Sequence, residues 1–444
     1  MPATTKMAPK KGRKHLSADA LYELIHSRFG NVPDPRRPGS PIKLSDALMS
    51  GLALFSLKDP SLLAFDSRRE DENMKRLFHI DRVPSDTQMR EILDDVNPLD
   101  LRPGFCDVFR ELQRGKCLKA FRFIESTHLV LMDGTQYFRS EVIHCPSCLK
   151  KEHQDGHVSY SHQMLSAVMA HPNHQEVIPF APEPIGNEDG STKNDCERNA
   201  AGRLLRRIRA EHPHLNITVV EDGLASNAPH IRDILSLGMH FILGAKPGDH
   251  EYLFDRVMDA YEVDRVKTIT WKDGETTCEI TFVNQLPLNA SNPDLLVNFL
   301  GYTEFDKDDK IIKRFSWVTD LTIKRHNARE LVRGGRTRWK IENETYNTLK
   351  NQGYHFEHNF GHGKHNLAVV LAMLMMLAFL VNQVEQLTCP LFRAVWTKLG
   401  SKRAVWEQVR SHFQHFRCDS MRRIYEAILY DLTKNLPIPR CNTS

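Results

Sequence analysis

The chain is short of most things that would fix its class at sight. Its 60 basic residues nearly cancel its 56 acidic ones, leaving a net charge of +4 over 444 residues. Nucleic-acid binding therefore cannot be argued from the total and has to come from how charge is distributed. Nine cysteines in a chain of this length are too few for a disulfide framework. The basic start is not followed by the apolar stretch that a secretory signal needs, and both features lead to the expectation of a reducing cytoplasm. The strongest membrane candidate, 367–381, is an apolar run of 15 residues, short of the roughly 20 that span a bilayer. It is expected to be a buried core helix, with no membrane partner. There is no internal repeat and no low-complexity tract. With 41% hydrophobic residues, a disordered adaptor is excluded and room remains for two to four domains.

What the chain does have is three placed acids. His128-Leu-Val-Leu-Met-Asp133-Gly134 is a short apolar run that ends on a carboxylate followed by glycine, which reads as a buried strand whose last side chain emerges at the sheet edge. Ile217-Thr-Val-Val-Glu221-Asp222-Gly223 repeats the pattern with β-branched residues. In open α/β sheets, ligands collect at such carboxyl ends, although Asp-Gly taken alone is also an ordinary turn signal. The third acid needs helix geometry. Trp339, Glu342, Tyr346 and Leu349 follow one another at spacings of three, four and three, so they are expected on one core-facing stripe. Glu344 falls about 200° away at roughly 100° per residue, so Glu342 is preferred to meet the aspartates, with Glu344 as the alternative. Arg338 precedes Glu342 by one helical turn, where it can orient the carboxylate or grip a phosphate.

With these motifs the chain resembles the DDE transposases of bacterial insertion sequences that move by cut-and-paste. The match is carried by Leu131-Met-Asp133-Gly-Thr135, by Val220-Glu-Asp222-Gly223, and by Arg338-Trp-Lys-Ile-Glu342 running on to Lys350. Val83 to Arg90 and Asn351 to Gly363 look like phrases of one branch of these elements, and the resemblance runs from about residue 40 to 390. It implies an α/β fold: a ribonuclease-H-like mixed sheet interrupted by a β-rich insertion, flanked by helical regions. It also implies Asp133, Asp222 and Glu342 as catalytic ligands of two Mg2+ or Mn2+ ions. Arg336, Arg338, Tyr346 and Lys350 become the expected DNA contacts. The partners implied are terminal inverted repeats, target DNA and a second copy of the chain, because two element ends must be held together. The family signature often places a Tyr three residues before the Arg and a Lys seven after the Glu. Here those positions hold Gly335 and Leu349.

The chemistry suits these residue types. Hard carboxylate oxygens match Mg2+ or Mn2+, and two such ions about 3.5–4 Å apart can serve an in-line displacement at phosphorus. Without cations, three close carboxylates repel one another and hold protons more tightly. A metal-dependent nuclease without strand transfer, and a non-catalytic zinc-containing DNA-binding protein derived from a transposase, are the alternatives.

A second metal reading concerns sulfur. Cys145 and Cys148 have the chelate spacing of structural Zn2+ sites; they read either as reduced thiols in a turn or as a zinc clip completed by some of His153, His157 and Cys196. His162 opens the next strand and reads as a core or surface histidine, or one turned toward the catalytic centre. The stretch with His355, His358, His362 and His365 has no standard zinc spacing and is expected to be a loop near the DNA end.

Charge distribution adds three features. Lys6, Lys10, Lys11, Arg13 and Lys14 form a basic arm without an acid, fit for backbone phosphates. Arg198, Arg206 and Arg209 share one side of the helix between the aspartates. Arg393 to Arg423 holds eight basic residues against two acidic ones, as a DNA-facing, dimer-forming or simply solvated helical tract. The expected organisation is a basic arm at 1–15, a helical DNA-binding domain at 16–124, and the catalytic core at 125–245. The β-rich insertion follows at 246–320, with a hairpin at Lys272-Asp-Gly274. The core resumes at 321–389 with the glutamate helix, and 390–444 is a C-terminal helical region.

Overall fold

Helix starts in this chain are written by small polar side chains. In the computed structural model, which describes residues 13–186 and 196–432, Ser17, Ser61, Asp71, Ser85, Ser401 and Ser420 each accept a backbone N–H at a helix N-cap. These bonds satisfy donors that a first turn leaves without partners. At Ser85 the cap is reciprocal, since the Gln88 side chain accepts the Ser85 N–H in return.

Helices α1 (Ala18–Phe29), α2 (Leu44–Ser56), α3 (Leu62–Asp66), α4 (Glu72–Leu77), α5 (Asp86–Asp94) and α6 (Arg102–Arg114) come first. Strands β1 (His128–Ser140), β2 (Leu149–Glu152), β3 (Val158–Ala170), β4 (Ile178–Pro179) and β5 (Glu183–Ile185) follow. Next come α7 (Glu197–Glu211), β6 (Ile217–Glu221), α8 (Ala228–Ser236), β7 (His240–Gly244) and α9 (Glu251–Glu262). Strands β8 (Lys267–Asp273), β9 (Thr276–Asn289), β10 (Asn292–Phe305) and β11 (Ile311–Thr319) lead to α10 (Ala328–Arg336) and a π-helical segment, Ile341–Tyr346. The chain closes with α11 (Asn347–Asn351), α12 (Leu367–Thr388), α13 (Pro390–Leu399), α14 (Lys402–His415) and α15 (Met421–Tyr430).

Contacts divide these elements into two units. One takes the chain up to Cys117, Tyr137–His162 and everything from Asn347 on; the other takes Leu118–Gln136 and Gln163–Tyr346. The helices before and after the sheet, treated as separate regions in the sequence reading, thus share one unit. Its core helix is α12. Among the described residues α12 alone is long and apolar enough to cross a membrane, but 94% of its apolar window is buried inside the protein. It is a core helix, with Leu48, Leu52 and Phe55 of α2 also fully buried in this unit. Two polar residues of α12 are buried with it. Asn382 Oδ1 accepts from Lys58 Nζ and from the Tyr354 hydroxyl, both at 2.6 Å, while Glu385 accepts from the Tyr425 hydroxyl at 2.6 Å and from Asn382 Nδ2 at 3.1 Å. Such a network persists in a core only because each member is hydrogen-bonded.

The second unit is built on a mixed sheet of ribonuclease-H-like architecture, in the order β3-β1-β6-β7-β11-β10-β9-β8. β1, β6 and β7 are mutually parallel, whereas β7-β11, β11-β10, β10-β9 and β9-β8 are antiparallel. β6, Ile217-Thr-Val-Val-Glu221, is buried along its whole length, as expected of a parallel strand covered on both faces. The step from β6 to its parallel neighbour β7 needs a crossover, which α8 supplies.

One sequence expectation is corrected here. β1 does not stop at Asp133 but runs to Ser140. β6 is what stops at Glu221, so Asp133 lies on a continuing strand beside the end of its neighbour. The β-rich segment between β7 and β11 carries one helix besides its strands. It opens with α9, whose buried Leu253, Val257 and Ala260 have helical spacing.

Candidate active site

The positions of the acids follow from strand register. β1 and β6 pair from His128–Ile217 to Leu131–Val220; Asp133 and Asp222 each lie two residues beyond that last pair, near enough for the charge of Asp222 to raise the Asp133 pKa. Asp222 follows the last residue of β6 and accepts the Leu224 N–H at 3.0 Å. Glu342 comes to Asp133 through an arginine. The Arg338 guanidinium lies 3.7 Å from Asp133 Oδ2 and 2.6 Å from Glu342 Oε1, so one cation is shared by a strand acid and a helix acid. Glu344 lies near Lys340 instead. Lys340 Nζ is committed to the carbonyl oxygens of His171, at 2.8 Å, and His174.

A fourth carboxylate, which the sequence reading missed, belongs to the group. Glu197, the first residue of α7, accepts the Gly134 N–H at 3.1 Å. A Cβ at Gly134 would stand 2.6 Å from Glu197 Oε2, so the glycine after Asp133 admits this carboxylate as well as ending the apolar run. The only sequence signal was an acid in a helix first turn, which is common for dipole reasons alone.

Crowding shows in the electrostatics. Loss of solvent raises the Asp133 pKa to about 6; Arg338 opposes the rise, and the charges of Glu197, Glu342 and Asp222 add to it. Glu197 is raised as well, first by loss of solvent and then by Asp222 and Glu221. Among the described residues, Asp133, Asp222 and Glu342 do not close as a group to within 4.8 Å of one another. The guanidinium holds two of them across a gap. The donors are all hard oxygens that neighbouring negative charge disposes to take up protons or cations, which is the donor set suited to Mg2+ or Mn2+.

No protein-family model and no curated protein matches the chain. Among solved structures it is similar to one described as a cryo-EM structure of a piggyBac transposase synaptic complex with hairpin DNA. Identity is 10%, with 97% of this chain and 85% of that chain covered and a TM-score of 0.42.

Other expected site residues are placed differently. The stripe Trp339, Glu342, Tyr346, Leu349 is not one buried face. Trp339 is 45% exposed and Glu342 is exposed, whereas Tyr346 and Leu349 are buried. The α-helical step is lost between Arg336 and the π-helical segment, and a π turn breaks i, i+4 alignment; such turns are frequent at functional sites. Tyr346 is buried and its hydroxyl donates to the main-chain carbonyl of Asp133 at 2.5 Å. It fixes β1 at the acid and has no surface for DNA. Arg336 pairs with Glu304 at 3.0 Å and lies over the rings of Tyr302 and Phe315, with its side chain 38% exposed. Lys350 belongs to the other unit, where it pairs with Glu357 at 2.8 Å. Gly335, standing where the family signature often has Tyr, lets α10 lie on the sheet: a Cβ there would be 2.5 Å from the Trp317 ring. On α7, Arg209 donates to the carbonyls of Leu237 and Leu215, both at 2.9 Å, rather than lining a basic track with Arg198 and Arg206. Of the basic arm, residues 1–12 lie outside the described residues.

The expected zinc ligands are partly replaced. Cys145 and Cys148 do come together, but with His162 and His362. His153 bonds the Ser159 hydroxyl at 2.8 Å and stacks on His157, their ring centroids 4.0 Å apart, across the β2–β3 turn. His157 in turn pairs with Asp155 at 2.5 Å. Cys196 is exposed and belongs to the other unit. Local spacing favoured His153 and His157, but the turn directs them away from the sulfurs. The loop carrying His362, expected near a DNA end, is held instead by the Asp94 carboxylate, which accepts the N–H groups of Lys364, His365, Asn366 and Leu367 at 2.8–3.0 Å.

Proposed function

We propose that this chain is a DNA transposase of DDE type. In this reading it binds terminal inverted repeats as a dimer, cleaves the element ends and joins them to target DNA. The observation that supports the reading is the shared guanidinium: Arg338 bridges Asp133 and Glu342, near the end of β6 that Asp222 follows.

Asp133, Asp222 and Glu342 would hold two Mg2+ or Mn2+ ions, which when bound polarise the phosphate and the attacking and departing oxygens. The chain's own residues do the rest. Tyr346 fixes the Asp133 backbone, and Gly134 and Glu197 close one side of the group. Arg338 offsets the mutual repulsion of Asp133 and Glu342, and can turn from them to a substrate phosphate.

The test uses the full-length chain with DNA carrying the inverted repeats that flank its gene, a supercoiled target plasmid and Mg2+ or Mn2+. Joined products support transposition. Hydrolysis without joining would leave a metal-dependent nuclease, and no processing would leave a DNA-binding protein. Asp133→Ala, Asp222→Ala and Glu342→Ala should each lower the reaction at least about a hundredfold, the usual scale for deleting a group that stabilises transition-state charge, whereas Glu344→Ala should not. Unchanged processing by Asp133→Ala would remove the assignment.

A further inference from the structure

We propose that Cys145, Cys148, His162 and His362 bind one structural Zn2+. The four come from three places in the sequence: a turn after β1, the middle of β3, and the loop before α12. All four are more than nine-tenths buried. Their separations have the dimensions of a coordination tetrahedron. With Zn–S of about 2.3 Å and Zn–N of about 2.0–2.1 Å, tetrahedral angles put the two sulfurs about 3.8 Å apart and each sulfur about 3.6 Å from each nitrogen. In the structure the sulfurs are 3.8 Å apart. Cys145 Sγ and Cys148 Sγ are 3.4 and 3.5 Å from His162 Nε2, and Cys148 Sγ is 3.6 Å from His362 Nε2. Hydrogen bonds between neutral thiols and imidazoles do not require both sulfurs and both Nε2 atoms to face one point; a shared cation does.

The surroundings suit a closed structural site. Phe138 packs at 4.4 Å, centroid to centroid, from the His362 ring and at 5.8 Å from the His162 ring, and Tyr137 stacks on His162. The ligand set is complete at four, all of them buried and packed against Tyr137 and Phe138. That is the pattern of a metal that holds a fold rather than one that does chemistry. The Cys145–Cys148 turn is closed by the Cys148 N–H on the Cys145 carbonyl at 3.1 Å, which keeps both sulfurs on one side. Asp94 holds the loop that delivers His362. The metal would therefore cross-link the β1–β3 segment of the first unit to the loop before α12, adding to the packing of Tyr137 on Phe356 and of Phe138 on His362. This site is independent of the carboxylate group, so Asp133→Ala should keep its zinc.

The experiment measures metal by mass spectrometry on full-length protein expressed with zinc and gel-filtered in reducing buffer. Cys148→Ala and His362→Ala should each lose one zinc per chain relative to wild type, whereas His153→Ala, His157→Ala and Cys196→Ala should lose none. If the ligand variants do not fold, cobalt exchanged into the wild-type protein gives the answer. A thiolate-to-cobalt charge-transfer band with tetrahedral visible bands supports the site, and their absence overturns it. Zinc retained by His362→Ala, a folded and fully reduced wild-type chain without zinc, or a Cys145–Cys148 disulfide in the intact mass would each overturn the proposal.

Discussion

Replacing Asp133 by Asn should make the metal-free protein more stable at neutral pH. The Asp133 pKa rises from 3.8 to about 6 on folding. Below about pH 4 the carboxyl is protonated in both states and contributes nothing. Between about 4 and 6 the unfolded chain has released the proton and the folded chain has not, so stability falls as pH rises. Above about 6 the folded protein carries the whole penalty. The shift corresponds to about 3 kcal/mol at about 1.4 kcal/mol per tenfold; with a side chain 27% exposed, solvent screening brings this to about 1–2 kcal/mol. Asp133→Asn should recover that amount at pH 7.5 and nothing at pH 4, read from urea unfolding of the sheet unit followed by tryptophan fluorescence. Mg2+ or Mn2+ should raise wild-type stability at pH 7.5, by about 2.7 kcal/mol at a hundredfold excess over Kd, and should act much less on the variant. Equal gains at pH 4 and 7.5 would refute the electrostatic reasoning. A variant that responds to the cation as wild type does would refute the ligand role.

Three further outcomes are expected. Tyr346→Phe should cost about 1 kcal/mol for the lost bond to the Asp133 carbonyl and slow DNA processing, while leaving DNA affinity in a gel-shift titration unchanged because the ring is buried. Gly335→Ala should destabilise the protein by about 1–3 kcal/mol in chemical unfolding, since its Cβ would press on the Trp317 ring at 2.5 Å. Glu385, buried, has its pKa raised to about 7 chiefly by loss of solvent. The helical unit should therefore lose stability as pH rises from about 4.5 to about 7, and Glu385→Gln should flatten that slope in thermal unfolding monitored by circular dichroism.

What could be read from sequence was whatever one element decides alone. The run Leu129 to Met132 and the β-branched Ile217 to Val220 announce strands, because each is buried by its own composition. The stretch Pro84 to Arg90 reads as a helix start through Ser85 or Asp86 because a cap is local, and in the fold Ser85 is that cap. α9 carries Leu253, Val257 and Ala260 at helical spacing, a local signal inside a segment whose hairpin at Lys272-Asp-Gly274 marks it as β-rich. The extension of β1 to Ser140 was not legible. Whether a strand continues past Asp133 depends on the neighbour that pairs with it, and β3 still lies alongside where β6 has ended.

The site divides along the same line. Arg338 and Glu342 are four residues apart, and their pairing followed from helix spacing. The face they present did not, because a π turn at Ile341–Tyr346 leaves no composition signal and resets which residues are buried. Tyr346 illustrates the consequence. The resemblance implies it as a DNA contact, whereas helix spacing places it on the core-facing stripe; in the fold it is buried, its hydroxyl on the carbonyl of the residue that anchors the site. The sulfur cluster is the sharper case. Chelate spacing identifies Cys145 and Cys148 because only two residues separate them, but His362 stands 214 positions from Cys148, and no local rule connects them. Nearer histidines were the natural choice, and they fail because the turn at Asp155-Gly156 stacks His153 on His157 and satisfies each locally. A ligand recruited across the chain must be delivered by something rigid. Here that is the Asp94 carboxylate gripping four consecutive backbone N–H groups, so Asp94 is as much a part of the zinc argument as the histidine it positions.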